Sequence, residues 1–319
     1  MRAAVVEELR GPGAVRVRDL PEPSAGPGEV TIRVHAAGVS HLALGQTRGE
    51  GPARREPPFV PGAEVAGTVL AAPPGSELAP GDRVVALGLG GGFAGVAVAR
   101  AAHTFALPDG LTFEQGAAVL VDYLTAYHAV VRRGGLAPGE AVLVRGAESG
   151  VGLATAQVAK AFGAGRVVAA VPGEPEGKVA LGAGADAVVP AEGFRDAVRA
   201  VGPVDLVVDP VGGDAFVDAL RCLAVEGRAV AVAAAGGTRA EFRVNRLLLN
   251  NIDVVAADWT SWALAAPDRI AGVWSEVAPH LASGALAPVV DAVRDLDGTA
   301  SALAALDEGR ARGKLVLRL

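Results

Sequence analysis

The region from residue 140 to residue 232 alternates between short apolar runs and longer stretches of helical character. The apolar runs, such as 141–144 and 167–171, are continuous instead of alternating with polar residues. Continuous apolar runs are typical of strands buried on both faces, and strand–helix alternation is typical of βαβ units. The region is therefore predicted to form a parallel sheet with helices packed on it.

The segments on either side of this region are predicted to form one second domain. Up to about residue 110 the chain consists of short strand-like runs separated by Pro/Gly turns, which favours a partly closed antiparallel barrel. The chain ends in a strand-like run, 314–319, which needs a sheet to join. A length of 319 residues is more typical of two domains than of one. We therefore predict that a domain of residues 119–256 is inserted into one of residues 1–118 and 257–319.

Charge and cysteine content exclude several classes of protein. The formal net charge is -6, so the chain lacks the cationic surface that nucleic acid or an anionic membrane requires. Cys222 is the only cysteine, which excludes an intrachain disulfide and a cysteine-rich zinc site. No apolar run approaches the roughly 18 residues of a membrane span, and the start has no signal-peptide pattern. We expect a cytoplasmic protein with neither a nucleic acid nor a membrane as partner.

The first strand–helix junction of the parallel region reads GAESGVGLATAQVAK, residues 146–160. A dinucleotide-binding turn carries glycine at three places: for a tight turn, for approach to the pyrophosphate and for packing of helix on strand. Here those places hold Ala147, Ser149 and Gly152, so only the packing glycine is kept. One interpretation is an ordinary strand-to-helix turn. The other is a phosphate site, because the N–H groups at a helix N-terminus favour an anion.

Motifs along the whole chain resemble those of one enzyme family. They read GDRV, LTAYHAV, GAESGVGLATAQVAKAFGA, GADAVV, DLVVDPVGG, EGRAVAV and GKLVL. Their order and spacing resemble the zinc-independent quinone oxidoreductase branch of the medium-chain dehydrogenase/reductases. The resemblance implies an α/β protein in which a Rossmann-type parallel-sheet domain is inserted into a GroES-like β-barrel catalytic domain.

The same resemblance assigns the turn to the cofactor. Members of the branch commonly read SGVG or GGVG here, which implies that Ser149, Gly150, Val151 and Gly152 contact the dinucleotide. Glu148 precedes them, and a carboxylate beside a pyrophosphate would reduce affinity. We therefore expect the side chain of Glu148 to point to solvent.

The choice between the two nicotinamide cofactors depends on the end of the second strand of the parallel region. NAD enzymes carry an acid there, whereas this strand ends at Val171 and leads to Gly173, which the resemblance places at the cofactor. Lys178 could reach the 2′-phosphate of NADPH, but it lies beyond Glu174 and Glu176, which would repel that group. The resemblance favours NADPH. NADH is not excluded, and Lys178 could equally belong to a solvated loop.

Further cofactor contacts are implied by match to the family. They are Ser40, Thr125 beside the nicotinamide half, Ala233 after a strand, and the pair Gly313 and Lys314 in the terminal motif. Thr125 could instead bond to the preceding turn of its own helix. Lys314 could simply lie on the surface.

The metal ligands of zinc-dependent relatives are missing. Those relatives carry cysteine at the position of Ser40 and histidine at that of Ala63. We therefore expect no zinc. Without a metal ion as Lewis acid, the acceptor must be electrophilic without activation. A quinone or an α,β-unsaturated carbonyl meets this condition and takes a hydride directly from the nicotinamide.

The acceptor side of the predicted pocket departs from the family pattern. In GVSHLALG, Ser40, His41 and Ala43 replace an asparagine, an aromatic residue and an aspartate of the family. His41 could donate a proton to the reduced acceptor, because imidazole titrates near neutrality, or it could only pack in place of the aromatic residue. Trp259 and Trp262 could wall an aromatic acceptor, or they could pack in the core.

A helix is predicted to begin after Thr112, which fits a capping box with Gln115, and to end at Gly134. Tyr123 and Tyr127 lie on this helix four residues apart and share a face. We interpret Tyr127 as core and Tyr123 as a candidate catalytic acid or substrate contact.

The resulting hypothesis is a zinc-free, NADPH-dependent reductase of quinones or activated alkenes, with its acceptor expected between the two domains. A narrower version is an enoyl or enone reductase of a secondary-metabolite pathway, acting for example on an aromatic polyketide. The alternative is a nucleotide-binding or scaffolding protein that has lost activity, motivated by Glu148 and Ala43. The resemblance also implies a homodimer joined through the edges of two Rossmann sheets.

Overall fold

Two units divide the chain in the computed structural model, which describes residues 1–50, 55–88, 90–232, 240–266 and 268–319. The first unit comprises Met1–Val121, Ala263–Ala278 and Pro288–Leu319. The second comprises Asp122–Trp262 and Pro279–Ala287.

The strands and helices are numbered in chain order. The strands are β1 (Arg2–Val6), β2 (Val15–Asp19), β3 (Glu29–Val39), β4 (Glu64–Ala71), β5 (Arg83–Leu87), β6 (Val96–Arg100), β7 (Thr104–Ala106), β8 (Ala141–Val144), β9 (Arg166–Val171), β10 (Ala187–Pro190), β11 (Val204–Asp209), β12 (Leu223–Ala231), β13 (Asp253–Ala256), β14 (Val290–Asp295) and β15 (Lys314–Arg318). The α-helices are α1 (His41–Gln46), α2 (Phe113–Gly116), α3 (Leu120–Tyr127), α4 (Gly150–Ala161), α5 (Glu174–Gly182), α6 (Phe194–Val201), α7 (Ala215–Leu220), α8 (Asn245–Leu248), α9 (Trp259–Leu264), α10 (Asp268–Ala282) and α11 (Thr299–Asp307). A π-helical segment, His128–Arg133, continues α3, and short 3-10 turns lie at Pro12–Ala14, Ala101–His103 and Leu296–Gly298.

The second unit contains the predicted parallel sheet. Its strands lie in the order β10-β9-β8-β11-β12-β13, and every neighbouring pair is parallel. All four residues of β8 are buried, as the continuous apolar run predicts. The predicted α/β class is confirmed.

The first unit is built around a mostly antiparallel sheet. Its strands lie in the order β14-β15-β3-β4-β5-β7, with β6 also paired to β3 and a separate hairpin of β1 and β2. Among the strands of the described residues, β14 and β15 are the one pair of this sheet that is parallel. The terminal strand β15 pairs with β3, so the predicted return of the chain end to the N-terminal sheet is confirmed. The core of the unit comes from alternating inward-facing residues of these strands, such as Val30, Ile32 and Val34 of β3.

The second unit includes residues 279–287, which were predicted to belong to the barrel domain. They belong to the second unit because Gln157 of α4 donates to the carbonyl of Ala287 at 2.9 Å and accepts from the Ala287 N–H at 2.7 Å. The rings of His280 and Phe162 also lie 4.7 Å apart.

The single helix predicted from Thr112 to Gly134 is interrupted. The capping box of Thr112 and Gln115 is confirmed, but α2 ends at Gly116. The N–H of Val121 is then bound by Oε2 of Glu64 at 2.9 Å. A side-chain acceptor at this N–H caps a new helix, α3, instead of continuing the old one.

Candidate functional site: the carboxyl edge of the parallel sheet

The site lies where the strand order of the parallel sheet reverses. From β8 the chain proceeds to β9 and β10 on one side of the sheet, and then to β11, β12 and β13 on the other. Ligands of open parallel sheets bind at such a switch point, outside the carboxyl ends of the strands. The loops that follow β8, β9 and β11 therefore form the candidate site.

The turn after β8 presents the N-terminus of α4. Gly146 adopts a left-handed conformation with φ of 58°, which favours glycine. Ser149 caps the helix: its Oγ accepts from the Gly152 N–H at 3.1 Å and donates to the Gly146 carbonyl at 2.8 Å. The cap satisfies one of the helix's first N–H groups, and those of Gly150 and Val151 have no acceptor within the helix. These two donors are suited to an anion.

Two glycines allow the close approach of this turn. A Cβ at Gly152 would overlap the carbonyl oxygen of Gly146, and a Cβ at Gly150 would overlap Oδ2 of Asp122. The first overlap is with backbone, so it cannot be relieved by turning a side chain. Gly152 thus allows the helix N-terminus to approach the backbone that follows β8, and Gly150 leaves room for the carboxylate of Asp122. The cradle fits the pyrophosphate of a dinucleotide.

A buried ion pair links the loops that follow β8 and β11. Arg145, directly after β8, pairs with Asp209, the last residue of β11. Oδ1 of Asp209 also accepts from the N–H groups of Val211 and Gly212, at 2.8 and 2.9 Å. The pair holds both loops at the switch point. The sequence analysis did not predict this ion pair. The signal that could have indicated it is one charged residue at the carboxyl end of each of two buried strands, with opposite charges.

Glu148 is not placed as expected. The residue is half-buried and its Oε2 is buried, so the expectation that it points to solvent is wrong. At this turn the Ser149 N–H donates to the Gly146 carbonyl at 3.0 Å.

The loop after β9 is acidic. Gly173 is the N-cap residue of α5. The side chain of Glu176 in the first turn is directed back, and the residue is only 8% exposed. Lys178, predicted to reach a 2′-phosphate, instead pairs with Glu174 at 2.8 Å, with both side chains exposed. Its role at the cofactor stays a prediction.

In the first unit the predicted residues meet at one end of the antiparallel sheet. Ser40 follows β3, is buried, and accepts from the Ala43 N–H at 3.4 Å as the N-cap of α1. His41 is exposed at the start of that helix. Gly313 has a φ of 129°, and Lys314 is 3% exposed and paired with Glu64. The alternative that Lys314 lies on the surface is therefore wrong.

Tyr123 does not have the surroundings of a catalytic acid. It is 2% exposed, and its hydroxyl donates to Oε1 of Gln157 at 2.8 Å. Burial, followed by the nearby charge of Asp122, raises the pKa of Tyr123 well above its ordinary value. The hydroxyl proton is donated to Gln157 inside the protein, an arrangement typical of a packing role, and the catalytic role of Tyr123 stays a prediction. Thr125 on the same helix is also buried, and Ala233 lies outside the described residues.

The two predicted substrate-wall tryptophans pack within the protein. The Trp262 ring lies 4.8 Å from the His128 ring and 4.5 Å from the Arg132 guanidinium carbon, so it is held between them. Trp259 is buried. Burial, followed by the positive charges of Arg132 and Arg133, lowers the pKa of His128 to about 4. These contacts account for Trp262 without an acceptor, and the wall role stays a prediction.

The residues at the zinc position of the zinc-dependent relatives do not fit a zinc ion. Ala63 offers no ligand atom, and the hydroxyl of Ser40 caps α1. In the described part of the chain, no three His, Cys, Asp or Glu side chains gather as a metal site would need. The single thiol is buried in the second unit, where burial raises the pKa of Cys222 to about 11.

Comparison with known proteins gives the same fold and family. Residues 26–109 match the alcohol dehydrogenase GroES-like domain, and residues 150–278 match the zinc-binding dehydrogenase family. Both belong to the medium-chain dehydrogenase/reductases. Quinone oxidoreductase-like protein 2 of Bos taurus is 31% identical over 324 residues, which cover 100% of this chain and 92% of the relative. The chain belongs to the quinone oxidoreductase branch of that superfamily, as the sequence motifs predicted.

Solved structures agree over the full length. The quinone oxidoreductase of Thermus thermophilus, solved alone and with NADPH, has a TM-score of 0.88 and 34% identity, and all of each chain is covered. An NAD-dependent alcohol dehydrogenase has a TM-score of 0.89 and 30% identity, again over all of each chain. The predicted Rossmann-type and GroES-like architecture is confirmed. None of the helices in the described residues has the length and apolar character to cross a membrane.

Proposed function

We propose that this protein is a zinc-free, nicotinamide-dependent reductase that transfers a hydride to a quinone or an α,β-unsaturated carbonyl. The observation that carries the proposal is the turn at the switch point, where Ser149 caps α4 and Gly152 lets the helix N-terminus approach the end of β8. The oxidoreductase relatives support the same reaction class.

The reaction needs only a hydride and a proton. The nicotinamide, when bound, supplies two electrons and one proton as hydride, and a second proton completes reduction of the acceptor. The chain's own residues bind the pyrophosphate and shield the reacting atoms from water. Because Ser40 and Ala63 offer no zinc site, the acceptor has to be electrophilic by itself. His41, exposed at the start of α1, is the proposed donor of the second proton.

Two measurements test the proposal. Calorimetric titration of the full chain with NADH and with NADPH asks whether either cofactor binds with micromolar affinity. Steady-state oxidation of the bound cofactor is then followed with 1,4-benzoquinone and with a conjugated enone. Binding with turnover of either acceptor supports the proposal, and binding without turnover of any acceptor contradicts it. Much faster turnover of the enone favours the narrower hypothesis of an enoyl or enone reductase in a secondary-metabolite pathway.

One observation favours a second candidate, a non-catalytic nucleotide-binding or scaffolding protein. Glu148 is half-buried directly before the cofactor turn, with Oε2 buried. A carboxylate held there opposes a pyrophosphate. Glu148→Gln discriminates between the candidates: a large gain in cofactor affinity with no turnover supports the non-catalytic protein, and turnover by the unmodified chain excludes it.

We also propose a homodimer joined through β13, which ends the parallel sheet within the described residues. The nearby exposed apolar side chains support this: Val225, Leu248 and Leu249 are 68%, 75% and 68% exposed. Such side chains are costly to leave in water. Light scattering on the intact chain gives the mass, and a monomer at micromolar concentration contradicts the proposal. The domain bounds at residues 119 and 256 likewise stay a proposal, tested by limited proteolysis.

A further inference from the structure

The end of β9 is the part of the candidate site that decides between the two cofactors. β9 lies beside β8 in the sheet, with Val144 opposite Ala169. In dinucleotide-binding folds the adenosine ribose lies at the carboxyl end of this second strand, where a carboxylate accepts hydrogen bonds from the ribose hydroxyls of NADH. NADPH carries a phosphate on that ribose, with close to two negative charges.

The strand end itself has no acid, but the following helix supplies one. The chain leaves β9 at Val171 and begins α5 after the N-cap residue Gly173. Oε2 of Glu176 lies 3.0 Å from the position that a Cβ on Gly173 would occupy. The carboxylate is therefore folded back toward the strand end, in close contact with the position that a Cβ at residue 173 would occupy.

The local charge is negative. Glu174 and Glu176 both lie in the first turn of α5, where the helix dipole favours carboxylates. The one cation of that helix, Lys178, pairs with Glu174 at 2.8 Å. Two carboxylates against one ammonium give the first turn of α5, next to the end of β9, a net negative charge.

We infer that the site selects NADH over NADPH, with Glu176 as the specificity-determining residue that accepts from the ribose hydroxyls. This inference rests on the proposed function and replaces the NADPH preference that the family resemblance favours. A carboxylate at hydrogen-bond distance attracts a ribose hydroxyl and repels a phosphate, so both effects act in the same direction.

The test is equilibrium binding, with no turnover required. The full chain and its variants are titrated calorimetrically with NADH and NADPH at low and at high salt. We expect the unmodified chain to bind NADH at least about tenfold more tightly than NADPH, and salt to narrow the ratio by screening the repulsion. Glu176→Gln keeps the size of the side chain and removes its charge, and it should shift the ratio toward NADPH by about tenfold or more.

Two further variants make the result specific. Glu276→Gln removes one negative charge from an exposed position of α10 and should leave the ratio unchanged. Glu176→Asp keeps the charge with a shorter side chain, so it should still reject NADPH while binding NADH more weakly. Glu176→Asp also tests the inference if Glu176→Gln fails to fold.

The outcomes separate the inference from the proposed function. Equal or tighter binding of NADPH by the unmodified chain overturns the inference and leaves the reductase intact. A ratio that Glu176→Gln does not change also overturns it. Binding of neither cofactor overturns the proposed function together with the inference.

Discussion

The ammonium of Lys314 pairs with the carboxylate of Glu64 inside the first unit, where the two residues are 3% and 1% exposed. Oε2 of the same carboxylate accepts from the Val121 N–H at 2.9 Å, at the first turn of α3. The pair thus joins the first residue of the terminal strand, the start of β4 and the beginning of α3. A residue assigned to cofactor binding by sequence match also has a structural role.

Loss of one partner of this pair should be costly. Lys314→Met leaves the Glu64 carboxylate buried without its cation, and we expect the free energy of unfolding to fall by about 3–5 kcal/mol. Urea denaturation measures the change. The control is Lys160→Met, which breaks a half-exposed pair with Asp186 and should cost less than about 1 kcal/mol. The double variant Lys314→Met/Glu64→Gln should recover part of the loss, and equal losses in both lysine variants would contradict the assignment.

Gly152 should tolerate no side chain. In Gly152→Ala the new Cβ overlaps the backbone carbonyl of Gly146, so the turn must open. We expect a loss of stability of about 2 kcal/mol or more and a loss of cofactor binding. Gly182→Ala, also in a helix but with open space around its Cβ, should be neutral or slightly stabilising. Denaturation and calorimetric titration of the two variants give the comparison, and normal cofactor affinity in Gly152→Ala would contradict the role of the turn.

The parallel sheet and the cap of α2 were predictable because their signals are local. Four consecutive apolar residues in β8 reflect burial on both faces, and Thr112 with Gln115 form a capping box within three residues. The position of the candidate site was predictable from the same pattern, since α4, the helix after the first parallel strand, begins at the turn that Ser149 caps.

The remaining contacts depend on residues far apart in sequence. Arg145 and Asp209 are separated by 64 residues and meet only because β8 and β11 are neighbours in the sheet. The break between α2 and α3 depends likewise on Glu64, which is 57 residues from Val121. The sequence shows that Glu176 is an acid that would repel a phosphate. The position of its carboxylate next to Gly173 depends on side-chain packing, which helical spacing does not show.

Tyr123→Phe should separate packing from catalysis. The substitution removes the hydrogen bond to Gln157, whose Oε1 still accepts from the Ala287 N–H at 2.7 Å. We expect a loss of about 1 kcal/mol in stability, measured by urea denaturation. Turnover with the best acceptor should be unchanged at temperatures where the variant is folded. A fall in kcat of about 100-fold would restore the catalytic interpretation.

His41 should affect turnover and its pH dependence. If the imidazole gives the second proton, His41→Phe should lower kcat by about 100-fold or more and remove a titration near neutral pH from the kcat profile. Cofactor affinity, measured by calorimetry, serves as the control and should change little. Unchanged turnover across the pH range would show that the residue only packs in place of an aromatic side chain.

His128 should make stability depend on pH below neutrality. Burial and the charges of Arg132 and Arg133 lower its pKa to about 4, against about 6.5 in an unfolded chain. The unfolded chain therefore binds a proton that the folded chain refuses between these values. This contribution to stability is complete above about pH 6.5 and is lost as the pH falls toward 4.

The same titration can be isolated with a variant. His128→Phe keeps a ring beside Trp262 and cannot take a proton. Urea denaturation at several pH values should therefore show a decline of about 2 kcal/mol between pH 6.5 and 4 that is present in the unmodified chain and missing from the variant. Parallel declines in the two proteins would place the acid sensitivity on other groups, such as the carboxylates of Glu140 and Asp186, whose pKa values the paired cations and backbone donors lower.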